Sequence, residues 1–240
     1  MKLNHKVKRT SALCLAFGLA LLALCLFLSC QAIGSAAPKD TFSVHWESTQ
    51  FQIGEVDLQL DPIAGLGKIT KVSVPVFYFP KEDAVVLRFR PEYTTYQQCW
   101  SNNGRHGFIE ALEKYNNDYE ERNLDIKDRK SKGRYGIVRG YLIWQQMAFT
   151  VRARGNMNVE LGYTFKDGAP YFLINQLEAE YVDLISRDND RTSIVIPMYL
   201  TRKQAADLAA MFDQSFLDGL SMPTGVKPGV KSGDSDKDNY

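Results

Sequence analysis

The chain has 240 residues, of which 45% are hydrophobic, 24% charged and 12% aromatic, and its formal net charge is +1. This composition is that of a folded globular protein, and it excludes disordered, collagen-like and disulfide-scaffold chains. A dedicated nucleic-acid binder carries a strongly basic face, so the balanced charge predicts no nucleic-acid partner.

The N-terminal segment has the pattern of an export signal. Lys2, Lys6, Lys8 and Arg9 precede an apolar run over residues 11–29. Basic flanks stay in the cytoplasm while apolar segments partition into the bilayer. The run is also long enough to span a membrane, for which about 17–25 apolar residues suffice, so an uncleaved anchor is the competing interpretation. Both interpretations place the folded part outside the cytoplasmic membrane.

The end of the apolar run favours cleavage. It closes with the four residues FLSC, the last of which is Cys30, and small, flexible residues follow. This pattern resembles the lipobox of bacterial lipoproteins in its relaxed, spirochaete-like form, with a small residue before the cut and then cysteine. Cys25 fits less well because Leu24 precedes it. The resemblance implies a lipoprotein signal peptide over residues 1–29 and a lipid attached to Cys30.

The lipid would decide where the protein resides. One acyl chain binds a membrane only marginally, at ~0.8 kcal/mol per buried CH₂, whereas two or three chains hold firmly. The resemblance therefore implies a chain that is lipid-anchored in the cell envelope, at the outer membrane or on the periplasmic face. Because residues 1–29 contain four basic residues and no acidic one, the 211 residues from Cys30 onward have a formal charge of −3.

The predicted export signal and the composition of the rest of the chain divide the sequence into four regions. Residues 1–29 are the signal, residues 30–40 a flexible tether, residues 41–220 a single domain, and residues 221–240 a polar, disordered tail. No internal repeat is visible in the sequence.

Within the domain, hydrophobic periodicity predicts several strands and two helices. Alternation predicts the strands, and Asp167-Gly168 between two of them predicts a hairpin. Helical spacing of apolar residues predicts the helices, the second of which opens with a capping box at Thr201 and Gln204. We therefore expect an α+β domain: a mainly antiparallel β-sheet, half-barrel or sandwich-like, with two packed amphipathic helices. The predicted strands cover residues 69–79, 84–90, 137–154, 159–165, 171–181 and 192–200, and the helices residues 105–124 and 201–219.

Candidate catalytic and cofactor motifs are scarce. The mature chain has two histidines, His45 and His106, and no phosphate-binding loop, so we expect no metal and no cofactor. Cys99 in Gln98-Cys99-Trp100 resembles the nucleophile of papain-like proteases, but no histidine follows His106, which breaks that order. A buried small hydrophobe is the preferred interpretation, and a hydrolase using Cys99 with His106 or His45 the less favoured one.

Two segments carry candidate ligand-binding residues. The first combines aromatic rings with amide side chains, which suits a glycan or protein ligand. The second is a basic stretch, which suits anionic headgroups or cell-wall polymers. The competing interpretations are rings that cover the core and a solvated loop. The candidates are Tyr93, Tyr96 and Trp100 in the aromatic loop, and Lys127, Arg129, Lys130, Lys132 and Arg134 in the basic loop.

Taken together, these features favour an envelope lipoprotein with a binding or structural role over an enzyme. Its partners are the membrane, through the lipid anchor, and a cell-wall polymer, glycan or protein ligand. The alternative is a surface-exposed adhesin that presents the aromatic or the basic loop.

Overall fold

The computed structural model describes residues 43–45, 48–61, 69–91, 93–146, 152–181 and 193–220. The predicted signal peptide, tether and tail lie outside the described residues, and so does Cys30. None of the helices in the described ranges combines the length and the hydropathy that a membrane crossing requires.

Nine strands and three α-helices make up the described part of the chain. A short 3₁₀ turn at Ser131–Gly133 follows the first helix. In chain order the elements are β1 (Phe51–Leu60), β2 (Thr70–Phe79), β3 (Ala84–Phe89), β4 (Thr94–Trp100), α1 (Asn102–Glu120), β5 (Gly136–Gln146), β6 (Ala153–Lys166), β7 (Ala169–Gln176), β8 (Glu180–Tyr181), β9 (Ile196–Leu200), α2 (Arg202–Phe212) and α3 (Gln214–Asp218).

The strands form one antiparallel sheet that closes on itself. The strands β1 to β7 pair consecutively along the chain, and β7 also pairs with β9. β9 returns to β1 through the pairs Gln59–Tyr199 and Leu60–Met198. Eight strands therefore form a closed barrel, while β8 pairs only with β6, at two residue pairs. The expected open half-barrel or sandwich, within an α+β domain, is wrong.

Two strands account for this difference. β1 has no counterpart among the predicted strands, and β4 lies where an aromatic loop is expected. β1 joins β9 to β2, and β4 joins β3 to β5, so the other strands alone would form open sheets. Closure removes the unpaired edges of such sheets, because every strand of the ring then has two neighbours.

The barrel interior is filled with side chains. Alternate strand residues point inward, and among them Val56, Leu87 and Ile174 are fully buried. Between these apolar side chains, Gln98 Nε2 donates a hydrogen bond to Gln176 Oε1 at 3.1 Å. Because β4 and β7 are not neighbours in the ring, this hydrogen bond spans the interior. The interior is therefore a packed core that a polar side-chain contact crosses.

A single residue separates each of the two longer helices from the strand before it, and the side chain of that residue caps the helix. Ser101 Oγ accepts a hydrogen bond from the N–H of Gly104 at the start of α1. Thr201 and Gln204 form the predicted capping box at the start of α2. Apolar residues of both helices share one core with the inward-facing strand residues. The ring of Phe108 in α1 contacts rings from β4, β7 and α2 at centroid distances of 5.8, 5.3 and 5.0 Å.

The order of elements repeats once along the chain. β1 to β4 form a meander that is followed by α1, and β5, β6, β7 and β9 form a second meander that is followed by α2. The hairpin predicted at Asp167-Gly168 joins β6 to β7, and both turn residues have positive φ. The segment predicted as one strand over residues 137–154 holds most of β5 and the start of β6, with residues 147–151 outside the described ranges.

A buried arginine connects α1 to the β2–β3 turn and to the end of α2. The side chain of Arg105 is 2% exposed. Its guanidinium donates to the Asp83 carbonyl at 2.6 Å, to Asp83 Oδ1 at 3.0 Å, to Gln214 Oε1 at 2.5 Å and to the Phe212 carbonyl at 3.3 Å. These acceptors compensate for the loss of hydration of the buried cation.

We expect Arg105→Met to lower the free energy of unfolding by about 3 kcal/mol, because it removes the cation that Asp83 and Gln214 face. Urea denaturation followed by circular dichroism measures the change. Arg122→Met, at an exposed arginine just after α1, is the matched control and should change the free energy by less than about 0.5 kcal/mol. Equal losses in the two variants would contradict a structural role for Arg105.

Candidate functional site

A cavity of about 260 Å³ lies on the outer wall of the barrel, beside the seam where β9 meets β1. We call it the seam cavity. The lining residues that belong to strands alternate with the inward-facing residues of the same strands, so their side chains lie on the outer face of the sheet. The 3₁₀ turn closes one side of the cavity. Of the nine lining residues that lie in the described ranges, six are polar or charged. The lining residues are Asp61, Lys132, Thr164, Lys166, Leu173, Asn175, Val195, Pro197 and Tyr199.

Asp61 and Tyr199 form the buried side of the seam cavity, with 4% and 5% of their surfaces exposed. The N–H of Asp61 donates to the Pro197 carbonyl at 3.2 Å, next to the pairing of β1 with β9. Burial, and secondarily the charge of Asp61 and a hydrogen bond to it, raises the pKa of Tyr199 to about 12. The phenol is therefore neutral at physiological pH and donates a hydrogen bond to the Asp61 carboxylate.

Two lysines bring positive charge to the seam cavity. Nζ of Lys166, at the end of β6, lies 4.6 Å from the centroid of the Tyr199 ring, a cation–π contact. Lys132 comes from the 3₁₀ turn between α1 and β5. Within the described part of the chain, neither lysine lies in an ion pair with a carboxylate. Both ammonium groups therefore remain available to an anion.

Gly162 in β6 allows the 3₁₀ turn to lie against the barrel. A Cβ at this position would lie 1.9 Å from the carbonyl oxygen of Ser131 and 2.4 Å from that of Lys132. Both distances are far below a van der Waals contact, and both atoms belong to the backbone. Any side chain at position 162 would therefore displace the turn, and Lys132 with it.

Asn175 supplies an oriented amide to the seam cavity. It is 4% exposed, and its Nδ2 donates to Glu160 Oε2 at 2.7 Å. A few fixed polar groups around a small concave space are the components of a binding site for a small polar molecule. Among the residues that the structure describes, no three His, Cys, Asp or Glu side chains are grouped so that they could hold a metal ion.

The predicted basic loop divides into three groups. Lys132 lines the seam cavity. Arg134 forms ion pairs with Asp118 at 3.0 Å and Asp128 at 3.1 Å. The remaining members are exposed, and they follow closely in the sequence after Ile126, a large apolar residue that is itself 67% exposed. These remaining members are Lys127, Arg129 and Lys130.

The predicted aromatic loop is the strand β4, so its side chains alternate between the two faces of the sheet. Trp100 is fully buried, and its Nε1 donates to Gln98 Oε1 at 3.0 Å. Tyr96 is 4% exposed and stacks on Phe89 at 5.7 Å. Of the three candidate rings, Tyr93 alone lies at the surface, with 74% of its area exposed. The structure does not bring the three rings together as one surface.

Cys99 lies on the outer side of β4, in an apolar cluster, and has no exposed surface. Burial raises the pKa of its thiol, an effect that Arg88 opposes in part. The side chain of His106 is 74% exposed on α1 and lies 3.5 Å from Glu110, and His45 is also exposed. Because the thiolate is the nucleophilic form, a buried and protonated thiol is a poor nucleophile. The geometry favours Cys99 as a small buried hydrophobe.

The sequence points to Lys132 among the cavity residues and misses the rest. Asp61, Thr164, Lys166, Asn175 and Tyr199 belong to no motif, and each occupies an ordinary polar position in or beside a strand. The pairing of β9 with β1 brings these residues together, and no local sequence pattern predicts a pairing between strands so distant in the chain.

The fold and the site define a class: a closed, eight-stranded antiparallel barrel with two helices packed into its core and a small polar cavity at its seam. The chain belongs to the family described as "Uncharacterised Treponema protein", whose family model matches residues 19–219. This match is consistent with a spirochaete origin. No curated protein and no solved structure matches the chain.

We expect Gly162→Ala to displace the 3₁₀ turn and to lower the free energy of unfolding by about 1–3 kcal/mol, because the new methyl group overlaps backbone atoms. Urea denaturation measures the stability, and hydrogen exchange measures protection of the Ser131–Arg134 amides. Gly133→Ala is the control, since its Cβ would meet only the side chain of Glu160, at 3.8 Å. Unchanged exchange in Gly162→Ala would contradict this role for Gly162.

We expect the stability to fall as the pH rises from about 10 to 12. A tyrosine whose pKa is raised in the folded state contributes stability below its unfolded pKa of about 10, and loses it as the pH rises through the folded value of about 12. For Tyr199 the loss is about 2–3 kcal/mol. Thermal unfolding across this range should show a smaller decrease in Tyr199→Phe than in the parent. Tyr93→Phe, at an exposed ring, is the control, and an identical decrease in all three proteins would refute the assignment.

Proposed function

We propose that this protein is a lipid-anchored protein of the cell envelope that binds a small ligand in the seam cavity. The binding role is carried by one observation: six polar or charged side chains, contributed by strands distant in sequence and by one turn, converge on a single small cavity. Such a convergence of polar groups around a small concave space supports a role in recognition.

The proposed anchor is supported by the sequence. A basic segment, an apolar run and the residues FLSC end at Cys30, which is the acceptor in a lipobox-type signal. Acylation at Cys30 would hold the folded barrel at the outer membrane or the periplasmic face, through chains that each add ~0.8 kcal/mol per buried CH₂. The barrel would then act close to a membrane surface, where its ligands would be envelope components or molecules that enter the envelope.

Binding is favoured over catalysis by the states of the reactive groups. The seam cavity holds a neutral phenol that donates a hydrogen bond to a carboxylate, and no histidine is among the lining residues that the structure describes. Cys99 lies elsewhere, buried in an apolar cluster. The described geometry thus offers hydrogen bonds and charge without a nucleophile paired to a base.

The basic loop supports a second candidate, a surface-exposed adhesin. Ile126 is 67% exposed, and the exposed cations Lys127, Arg129 and Lys130 follow it closely in the sequence, so the segment offers both an apolar side chain and positive charge. Such a surface suits anionic headgroups, a cell-wall polymer, or an acidic glycan or protein ligand. Loss of the protein from intact cells after added protease would favour this candidate over a periplasmic binding protein.

We expect the parent chain and Cys25→Ala to carry acyl mass and to begin at Cys30, and Cys30→Ala to carry neither change. The reason is that the thiol at position 30 is the acceptor and cysteine follows the cut. Intact-mass measurement after expression in a bacterium that exports lipoproteins gives the decisive readout. Membrane fractionation alone does not decide, because uncleaved Cys30→Ala keeps the apolar run over residues 11–29.

The same measurement identifies the competing interpretation. If all three proteins have the mass of the full 240-residue chain without acylation, the apolar run is an uncleaved anchor and the lipoprotein proposal fails. Acyl mass that persists in Cys30→Ala and disappears in Cys25→Ala would move the modification to Cys25.

A further inference from the structure

The polar groups of the seam cavity fall into two sets. Lys132 and Lys166 are cations, and Lys132 belongs to an exposed turn while Lys166 is half-buried on the ring of Tyr199. Asp61, Asn175 and Tyr199 are almost fully buried and hold hydrogen-bonding groups in fixed positions. Positive charge therefore lies on the outer side of the cavity, and uncharged or mutually bonded polar groups lie deeper.

We infer that the seam cavity binds a small acidic polyol, a molecule that combines several hydroxyl groups with one carboxylate or phosphate group. The inference rests on the proposed function, because it assigns a ligand class to the same cavity. The anionic group would lie between Lys132 and Lys166, and the hydroxyl groups would face Asp61, Asn175 and Thr164.

The two lysines set the preference for an anion. An ammonium group is a point charge that binds carboxylates and phosphates through charge-assisted hydrogen bonds. In the described part of the chain, no carboxylate forms an ion pair with either lysine, so neither charge is already neutralised by direct contact. Among the described lining residues the one carboxylate is that of Asp61, and it accepts a hydrogen bond from the Tyr199 hydroxyl, which disperses part of its negative charge.

The deeper groups set the preference for hydroxyl groups. A carboxylate has about four acceptor sites, so Asp61 can accept from a ligand hydroxyl in addition to Tyr199. Thr164 can donate or accept, and Asn175 is already oriented by its bond to Glu160. Leu173, Val195 and Pro197 add apolar surface. A lining that combines polar groups with apolar surface matches a sugar ring, which has both hydroxyl groups and C–H surface.

The size of the cavity limits the ligand to one small molecule. Its volume of about 260 Å³ is below the ~300–1,000 Å³ that is typical of pockets for drug-sized ligands. One monosaccharide ring with a charged substituent is therefore a better match than a nucleotide, an oligosaccharide or a peptide.

The test titrates the purified full chain with four probes: glucuronate, glucose 6-phosphate, glucose and inorganic phosphate. Isothermal titration calorimetry up to about 10 mM, ten times a dissociation constant of about 1 mM, measures the affinity. We expect glucuronate and glucose 6-phosphate to bind at least about tenfold more tightly than glucose or phosphate, because each of these two controls lacks one half of the recognised chemistry.

Variants then locate the binding. Lys132→Gln and Lys166→Gln should each weaken glucuronate binding by about tenfold or more, while Lys114→Gln, an exposed lysine on α1, should leave it unchanged. Gly162→Ala should weaken binding as Lys132→Gln does, since it displaces the same ammonium group, and Gly133→Ala should not. Thermal unfolding of every variant confirms that the fold is retained.

The outcomes separate this inference from the proposed function. Equal binding of glucose and glucuronate, unaffected by the lysine variants, overturns the acidic ligand class but leaves a small-ligand site in place. Equal binding of phosphate and glucose 6-phosphate overturns the polyol part. Absence of binding by all four probes overturns the inference. The acylation measurement on Cys30 tests the proposed lipid anchor independently of that result.

Discussion

The pairing of the last strand with the first is the constraint on which the rest of the structure depends. β9 meets β1 over only two residue pairs, and the N–H of Asp61 adds one further backbone hydrogen bond to β9. Without this seam the inward-facing residues would lie on an open sheet with two unpaired edges. The seam also brings Asp61 against Tyr199, so the buried side of the cavity exists only in the closed barrel. Fold and candidate site thus share one cause.

Closure is supported from inside the barrel as much as from the seam. The hydrogen bond between Gln98 and Gln176 crosses the interior, and the ring of Phe108 links α1 to β4, β7 and α2. These contacts bind the two halves of the domain to each other, since β4 and α1 belong to the first meander and the helix after it, while β7 and α2 belong to the second meander and its helix. A short seam is sufficient because the packed core already holds both halves, and burial of apolar surface is the larger stabilising contribution.

Local patterns predict the elements of this protein but not their closure. The Thr201 capping box and the Asp167-Gly168 hairpin are short-range features, and both are observed where the sequence places them. β4 is buried on both faces, so it lacks the alternation that identifies a strand, and its amides and rings suggest a loop instead. β1 contains a bulge between Gln52 and Gly54 that shifts its alternation. The seam joins residues from opposite ends of the domain, and no local pattern encodes such a contact.

The 125–134 segment shows how one local sequence serves two surfaces. The carboxylates of Asp125 and Asp128 accept hydrogen bonds from backbone N–H groups within the segment, and Asp128 also pairs with Arg134. Asp125 and Asp128 therefore stabilise the conformation of the segment through these bonds. In the part of the chain that the structure describes, they do not pair with the other basic side chains of the segment, which face outward. The contact with Gly162 then directs Lys132 into the seam cavity, while the exposed cations beside Ile126 face solvent. In the sequence, Lys132 and the exposed cations form one basic run. The contact between the 3₁₀ turn and β6 places Lys132 at the cavity and the other cations at the surface.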